Sequence, residues 1–201
     1  MDYAAKLQSL INEHNGVIST KLVTEADIPR TYLSEFVKKG ILERLDRGIY
    51  ITHHCYDDEM YRFQMKYNQA IFSHETALFF HDLTDRDPLM YSVTVKTGVN
   101  TKSLLNSGAK VYSIKSELYE LGSTAAETSY NRIVRTYDME RTICDVIRSR
   151  NQMDIEIVTE ALKRYTKRKD KNLPQLMLYA DKFRGSLSYI GKTAFMSFLV
   201  V

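Results

Sequence analysis

The chain has 201 residues, 28 Lys+Arg against 25 Asp+Glu, a formal net charge of +3 and a hydrophobic fraction of 44%. That composition excludes wholesale disorder, collagen-like repeats and a membrane bundle, and the length suits one or two domains with a real core. Two cysteines, Cys55 and Cys144, exclude a disulfide framework and a four-cysteine zinc site, and fit a reducing cytoplasm. No basic, apolar leader opens the chain. The apolar stretch Ala194–Val201 is far shorter than the roughly 20 residues that span a bilayer, so no membrane association is expected.

The charge is unevenly placed. Residues 1–55 are net neutral, residues 56–130 carry −3 and residues 131–201 carry +6. An anionic partner would therefore be met by local arrangement in the first segment and by bulk charge in the last.

Tyr3, Leu7, Leu10, Ile11 and His14 recur at helical spacing over residues 2–14, and Asn15-Gly16 ends the run. Val17-Ile18 is a short β-branched piece. Ser19 is placed to cap a second helix over Thr20–Ala26. Asp27 is expected to cap a third, with Pro29 in its first turn and Gly40 as its left-handed stop. At about 100° per residue, Arg30, Thr31, Ser34 and Lys38 of this third helix share one arc. Leu33 and Phe36 lie opposite, with Tyr32 and Val37 at the margins. Short hydroxyls let a helix backbone approach the major groove, while Arg and Lys reach base edges or phosphates.

Leu42–Leu45 and Ile49–Ile51 alternate around Asp46-Arg47-Gly48, which reads as a tight hairpin with Arg47 at its tip and Arg44 on its first strand. Three helices and a hairpin in about fifty residues is the winged helix-turn-helix order. The expected architecture is α+β: a winged domain over 1–54, then a larger mixed α/β domain over 55–201 with a helical C-terminal part. A winged helix serving as scaffold or protein contact is the alternative to DNA binding, since Glu35, Glu43 and Asp46 lie near the polar face.

Further on, His53, His54 and Cys55 are adjacent in an extended run and point to opposite faces, which disfavours a metal site. A helix is expected over about 58–67 and another over His74–His81, capped by Ser73. His74-Glu75 lacks the second histidine of a zinc-protease motif, because residue 78 is Leu. Asp82, Asp85 and Asp87 read as a solvated turn. Thr97–Ser103 lacks both glycines of a phosphate loop. No cofactor or metal is expected. Strands are expected at 91–95, 111–114 and 133–137, then a helix Met139–Arg148 capped by Asp138, with Cys144 as a buried thiol. A helix capped by Asp154 carries the stripe Val158, Ala161, Leu162 and Tyr165. Lys163, Arg164, Lys167, Arg168, Lys169 and Lys171 crowd its end, as a solvated face or as a second surface for nucleic acid or an acidic partner. Pro174 opens a helix to about Phe183, and Ser186 begins a final apolar one.

Gly40–Tyr50 resembles the end of the winged domain of AbiEi-type antitoxins, the antitoxin half of the bacterial AbiE abortive-infection system, a type IV toxin–antitoxin pair. The resemblance continues in Ser73–Leu78, Leu83-Thr84-Asp85, Val93-Thr94-Val95 and Met139–Asp145, the last similar to a Glu-Arg-Thr-(apolar)-x-Asp helix start. It implies a non-enzymatic cytoplasmic antitoxin and autorepressor. Its winged domain would bind double-stranded inverted repeats ahead of its own operon. Its larger domain would counteract a nucleotidyltransferase-like toxin without a stable complex. A monomer in solution would occupy two DNA sites cooperatively. The DNA contacts carried over are Arg30, Thr31, Tyr32, Ser34 and Lys38 on the third helix and Arg44 and Arg47 on the wing. The alternative reading is an RNA- or nucleotide-acting enzyme that uses the basic C-terminal domain.

Overall fold

The computed structural model describes residues 2–183, which divide into two compact units at Lys66/Tyr67. The expected helix after Ser186 and the tail Ala194–Val201 lie outside the described residues.

The first unit runs α1 (Tyr3–Glu13), β1 (Val17–Ser19), α2 (Thr20–Glu25), α3 (Thr31–Lys38), β2 (Glu43–Asp46), β3 (Ile49–Ile51) and α4 (Glu59–Lys66). The three strands form one antiparallel sheet in the order β1-β3-β2. This is the winged helix-turn-helix arrangement, with β2 and β3 as the wing. Leu7, Ile11, Ile18, Val23, Ile28, Leu33, Phe36 and Leu42 make its core. Each such side chain contributes about 1.5–3 kcal/mol on burial. A second small cluster of Val17, Ile49 and Ile51 receives Leu45 from the wing and Tyr61 and Met65 from α4. Lys66 adds an ion pair to Asp46 at 2.7 Å. Those contacts join α4 to the winged unit, so the unit runs on past residue 54 to Lys66.

Local closure departs from expectation at Asp27. This residue does not cap α3. It stands in the left-handed region at φ +55° and closes α2. Its N–H donates to the Thr24 carbonyl at 3.0 Å and that of Ile28 to Val23 at 3.0 Å, the paired bonds of a Schellman motif. Arg30 is the residue that precedes α3, without a side-chain cap, and Pro29 lies one position earlier still. An Asp side chain tolerates the left-handed region better than most, which is why no glycine marks this helix end. Asp82 repeats the device at φ +55° after the fifth helix.

The second unit continues with β4 (Ile71–Phe72), α5 (His74–Phe80), β5 (Ser92–Lys96), α6 (Lys102–Asn106), β6 (Lys110–Ile114) and α7 (Ser116–Tyr119). It ends with β7 (Ser123–Glu127), β8 (Ile133–Tyr137), α8 (Met139–Arg148), α9 (Ile155–Lys167) and α10 (Leu173–Lys182). Its five-stranded mixed sheet has the order β6-β5-β4-β8-β7, with β5 parallel to β6 and β4 parallel to β8. α8 lies at the centre of the core and packs against α5, α9 and α10. Asp138 and Asp154 cap α8 and α9 as expected, accepting from Arg141 N–H at 2.7 Å and Glu156 N–H at 2.9 Å. Ser73 precedes α5 but makes no capping bond, because its hydroxyl is engaged by His74 and Thr94.

The Glu-Arg-Thr-x-x-Asp run on α8 is internal scaffolding. Arg141 is fully buried, and its Nε donates to Asp145 at 2.9 Å. Its Nη1 donates to the carbonyls of Leu118 in α7 and of Leu121 in the loop that follows. Arg148 holds the other Asp145 oxygen at 2.9 Å. Glu140 accepts from the Asn172 N–H at 2.7 Å and so fixes the entry to α10.

His74 is buried in the left-handed region at φ +47°. Its ring lies between the hydroxyls of Ser73 at 2.9 Å and Ser149 at 3.0 Å and stacks on Tyr112 at 3.4 Å. Burial, with Arg148, Lys110 and Arg141 nearby, holds its pKa well below the ordinary histidine value. A folded pKa below the unfolded value of about 6.5 stabilises above that pH, and the contribution is lost as pH falls toward the folded value. The urea midpoint should therefore drop as pH is lowered from about 7 to 5. His74→Asn, which tolerates the same backbone region, should flatten that dependence; equal slopes for both proteins would contradict this role for His74.

Candidate nucleic-acid interface

The exposed face of α3 follows from its buried one. Leu33 and Phe36 are buried under α1 and β1, while Arg30, Thr31, Ser34 and Lys38 are exposed on the opposite side. The helix stops at Gly40, φ +68°, where the Gly40 N–H donates to Val37 at 3.0 Å and the Ile41 N–H to Phe36 at 2.9 Å. Ile41 then packs on the same core, which turns the chain directly into the wing.

The wing is short and braced. Asp46 pairs with Ile49, so Arg47 and Gly48 make the turn, and a register shift between Arg44 and Asp46 puts Leu45 into the small cluster below. The Gly48 carbonyl accepts from the Thr20 N–H at 2.8 Å and its hydroxyl at 3.3 Å, docking the wing turn on the first turn of α2. Gly48 is left-handed at φ +75°, and a Cβ there would sit 3.2 Å from the Thr20 hydroxyl. Arg47 and Arg44 are exposed.

Two partners of this surface were not legible in the sequence. Thr24 on α2 accepts from Arg30 Nε at 3.1 Å and steadies the guanidinium beside the α3 face. Lys66, twenty residues along, bonds Asp46, and this bond is the chief cause that holds the Asp46 carboxyl below its ordinary value. The one acid at the wing turn is thereby neutralised, leaving the tip to Arg44 and Arg47. Sequence spacing gives no signal for either pair, because both depend on tertiary docking. Lys39, beside Lys38, is also exposed. Tyr32 is only half exposed and its ring packs against Tyr3 at 5.7 Å. Glu35 remains exposed on α3, and Glu43 lies 3.8 Å from His53.

The basic run of the second unit divides in two. Arg164 forks onto Asp85 and also meets Glu160 at 2.6 Å. Arg168 makes two bonds to Asp170, each 2.8 Å. Lys171 donates to the carbonyls of Thr166 and Arg168 at 2.7 and 3.0 Å, satisfying the end of α9. Lys163, Lys167 and Lys169 stand exposed in solvent.

Among the described residues no group of three or more His, Cys, Asp or Glu is placed to hold a metal ion. Cys55 Sγ donates to the Asn15 carbonyl at 3.1 Å. The Cys144 thiol is buried and pushed up to about 12, so it stays protonated at neutral pH. No described helix is long and apolar enough to cross a membrane.

A winged unit with an open cationic helix face and a braced wing has the form of a transcriptional regulator's DNA-binding domain. Residues 6–53, inside that unit, match the family described as "Transcriptional regulator, AbiEi antitoxin". The N-terminal unit is of the AbiEi antitoxin type, and the family supports an antitoxin and regulator role. No curated protein matches the chain. Among solved structures it is similar to that described as "Crystal structure of RV2827C protein from Mycobacterium tuberculosis". The identity is 12% and the TM-score 0.49, covering 98% of this chain and 82% of that one.

Because a Cβ at Gly40 would meet nothing within 4 Å, only backbone strain opposes a side chain there. Gly40→Ala should cost about 1–2 kcal/mol, read by chemical denaturation; a neutral result would mean that the α3–wing junction relaxes to another conformation.

Proposed function

We propose that the protein is an antitoxin and autorepressor that binds inverted repeats upstream of its own operon through the winged unit. The observation that carries this reading is the exposed set Arg30, Thr31, Ser34 and Lys38 on α3 beside the exposed wing arginine Arg47. In this reading α3 enters the major groove, with Arg30 on a base edge and Thr31 and Ser34 allowing close approach. Lys38, Arg44 and Arg47 contact phosphates, and Tyr32 lines the margin of α3 against the backbone. Monomers assemble as two copies on paired repeats.

The larger unit counteracts a nucleotidyltransferase-like toxin without a stable complex in this proposal, and the repressor role itself requires no catalytic step. Residues 1–54 with α4 serve DNA, and the rest serves antagonism. Lys163, Lys167 and Lys169, with Arg164, Arg168 and Lys171 held locally beside them, form a secondary surface for an acidic partner. The setting is cytoplasmic.

Binding to the upstream repeats should weaken with salt. Lys38→Ala and Arg47→Ala should each lower the salt slope by about 0.9, one released counterion each. Arg30→Ala should cost about 1–3 kcal/mol at one base position and relax specificity there. Unchanged slopes for both phosphate variants, measured by fluorescence anisotropy over a salt series, would remove these assignments.

A further inference from the structure

Away from the winged unit, the second unit holds a cavity of about 470 Å³ beyond the carboxyl ends of β5 and β6. These two strands run parallel and end in register at Lys96 and Ile114. Ligands commonly sit in the crevice outside the carboxyl ends of parallel strands, and this volume lies within the usual range for small-molecule sites. Thr97 and Ser113 supply hydroxyls, Lys115 and Lys182 supply ammonium groups, and Arg148 and Phe183 also line it.

The charge of this cavity is unbalanced. Arg148 is partly buried and bonded to Asp145 at 2.9 Å, but the same carboxylate also pairs with the buried Arg141 at 2.9 Å. One carboxylate between two guanidiniums leaves a net positive charge. Part of it is spread over the ring of Phe183, which lies 4.6 Å from Arg141 and 4.9 Å from Arg148. Leu118 lines the cavity and its carbonyl accepts from Arg141, so the pair stands directly behind the wall. The one acid in the lining is Glu117. Lys115 and Lys182 make no ion pair among the described residues. Three cations around one open space, with one acid opposing them, match a compact multivalent anion better than a monovalent one.

We propose that this cavity binds the diphosphate group of a small molecule, either a nucleoside diphosphate or a free polyphosphate. Lys115 and Lys182 hold the phosphate oxygens from the rim, Arg148 faces them from the wall, and the Thr97 and Ser113 hydroxyls donate to them. This site is independent of the DNA-binding reading, because its residues lie wholly in the second unit.

The test is isothermal titration of the full chain with inorganic pyrophosphate and with ADP. Both should bind, and Lys115→Gln/Lys182→Gln should weaken each at least tenfold. Lys21→Gln/Lys102→Gln, which removes the same charge at exposed positions outside the cavity lining, should leave both unchanged. Tighter binding of ADP than of pyrophosphate assigns the site to a nucleotide; equal binding assigns it to a polyphosphate, and the proposal stands in either case. Absence of binding by a chain folded by circular dichroism, or equal losses in the two variants, overturns it.

Discussion

The surface assigned to DNA depends on a constraint of helical period. α3 is only eight residues long. It is too short to be stable alone and exists because Leu33 and Phe36 are buried. Those two positions fix its rotation about its own axis. Once they face inward, Arg30, Ser34 and Lys38 must face outward, since side chains four apart share a face. The Gly40 closure then fixes where the wing begins, and Thr20 fixes where it turns. Position and orientation of the cationic groups are thus consequences of apolar burial, with no energy drawn from the cations themselves.

A different constraint organises the second unit. A buried arginine is tolerable only when its donors are met and its charge is opposed. Arg141 has its Nε met by Asp145 and its Nη1 by the carbonyls of Leu118 and Leu121, while Nη2 has no hydrogen-bond partner among the described residues and lies with the guanidinium over the faces of Tyr137 and Phe183, Cζ 4.1 and 4.6 Å from the ring centres. Those partners come from α7, the loop after it, β8 and the end of α10. The arginine therefore selects one relative placement of elements far apart in sequence. Residues quoted as a family-like motif carry architecture here, with Glu140 fixing α10 and Asp138 accepting from the Tyr179 hydroxyl at 2.6 Å.

Much of this was legible in the sequence where periodicity was strong. The α3 face, the wing, and the caps at Ser19, Asp138 and Asp154 stand where spacing placed them. β4 was not legible, because two residues carry no period. β7 was not either: Ser-Thr-Ala-Ala-Glu has little apolar alternation and becomes a strand through its ladder to β8. Asp27 was misread as a cap, since a left-handed helix closure usually announces itself with glycine, whereas Asp82 stands in an exposed turn as read. The phosphate-loop comparison at Thr97–Ser103 failed on its glycines, and that stretch is instead a turn leading into α6 at Lys102. Thr97, at its start, is nonetheless brought beside Lys115 by the β5–β6 pairing, and α10 adds Lys182 to the same cavity, neither of which a local motif encodes.

Bulk charge proves a poor guide to where unoccupied cations stand in this chain. The last segment carries +6, yet Arg164, Arg168 and Lys171 are spent on Asp85, Asp170 and helix carbonyls. Arg141 is buried and shares the single carboxylate of Asp145 with Arg148. The neutral first segment, by contrast, separates its charges. Its Asp46 is cancelled by Lys66 from beyond the segment, and Lys6 is turned inward to the Ala26 carbonyl at 2.6 Å. Arg30 just before α3, Lys38 on it, and Arg44 and Arg47 of the wing are exposed. An anion senses the local field within about a Debye length, roughly 8 Å at physiological salt, and not the sum over the chain. The winged unit thus presents outward-facing cations at the α3 face and the wing turn, whereas several cations of the more basic last segment are already bonded.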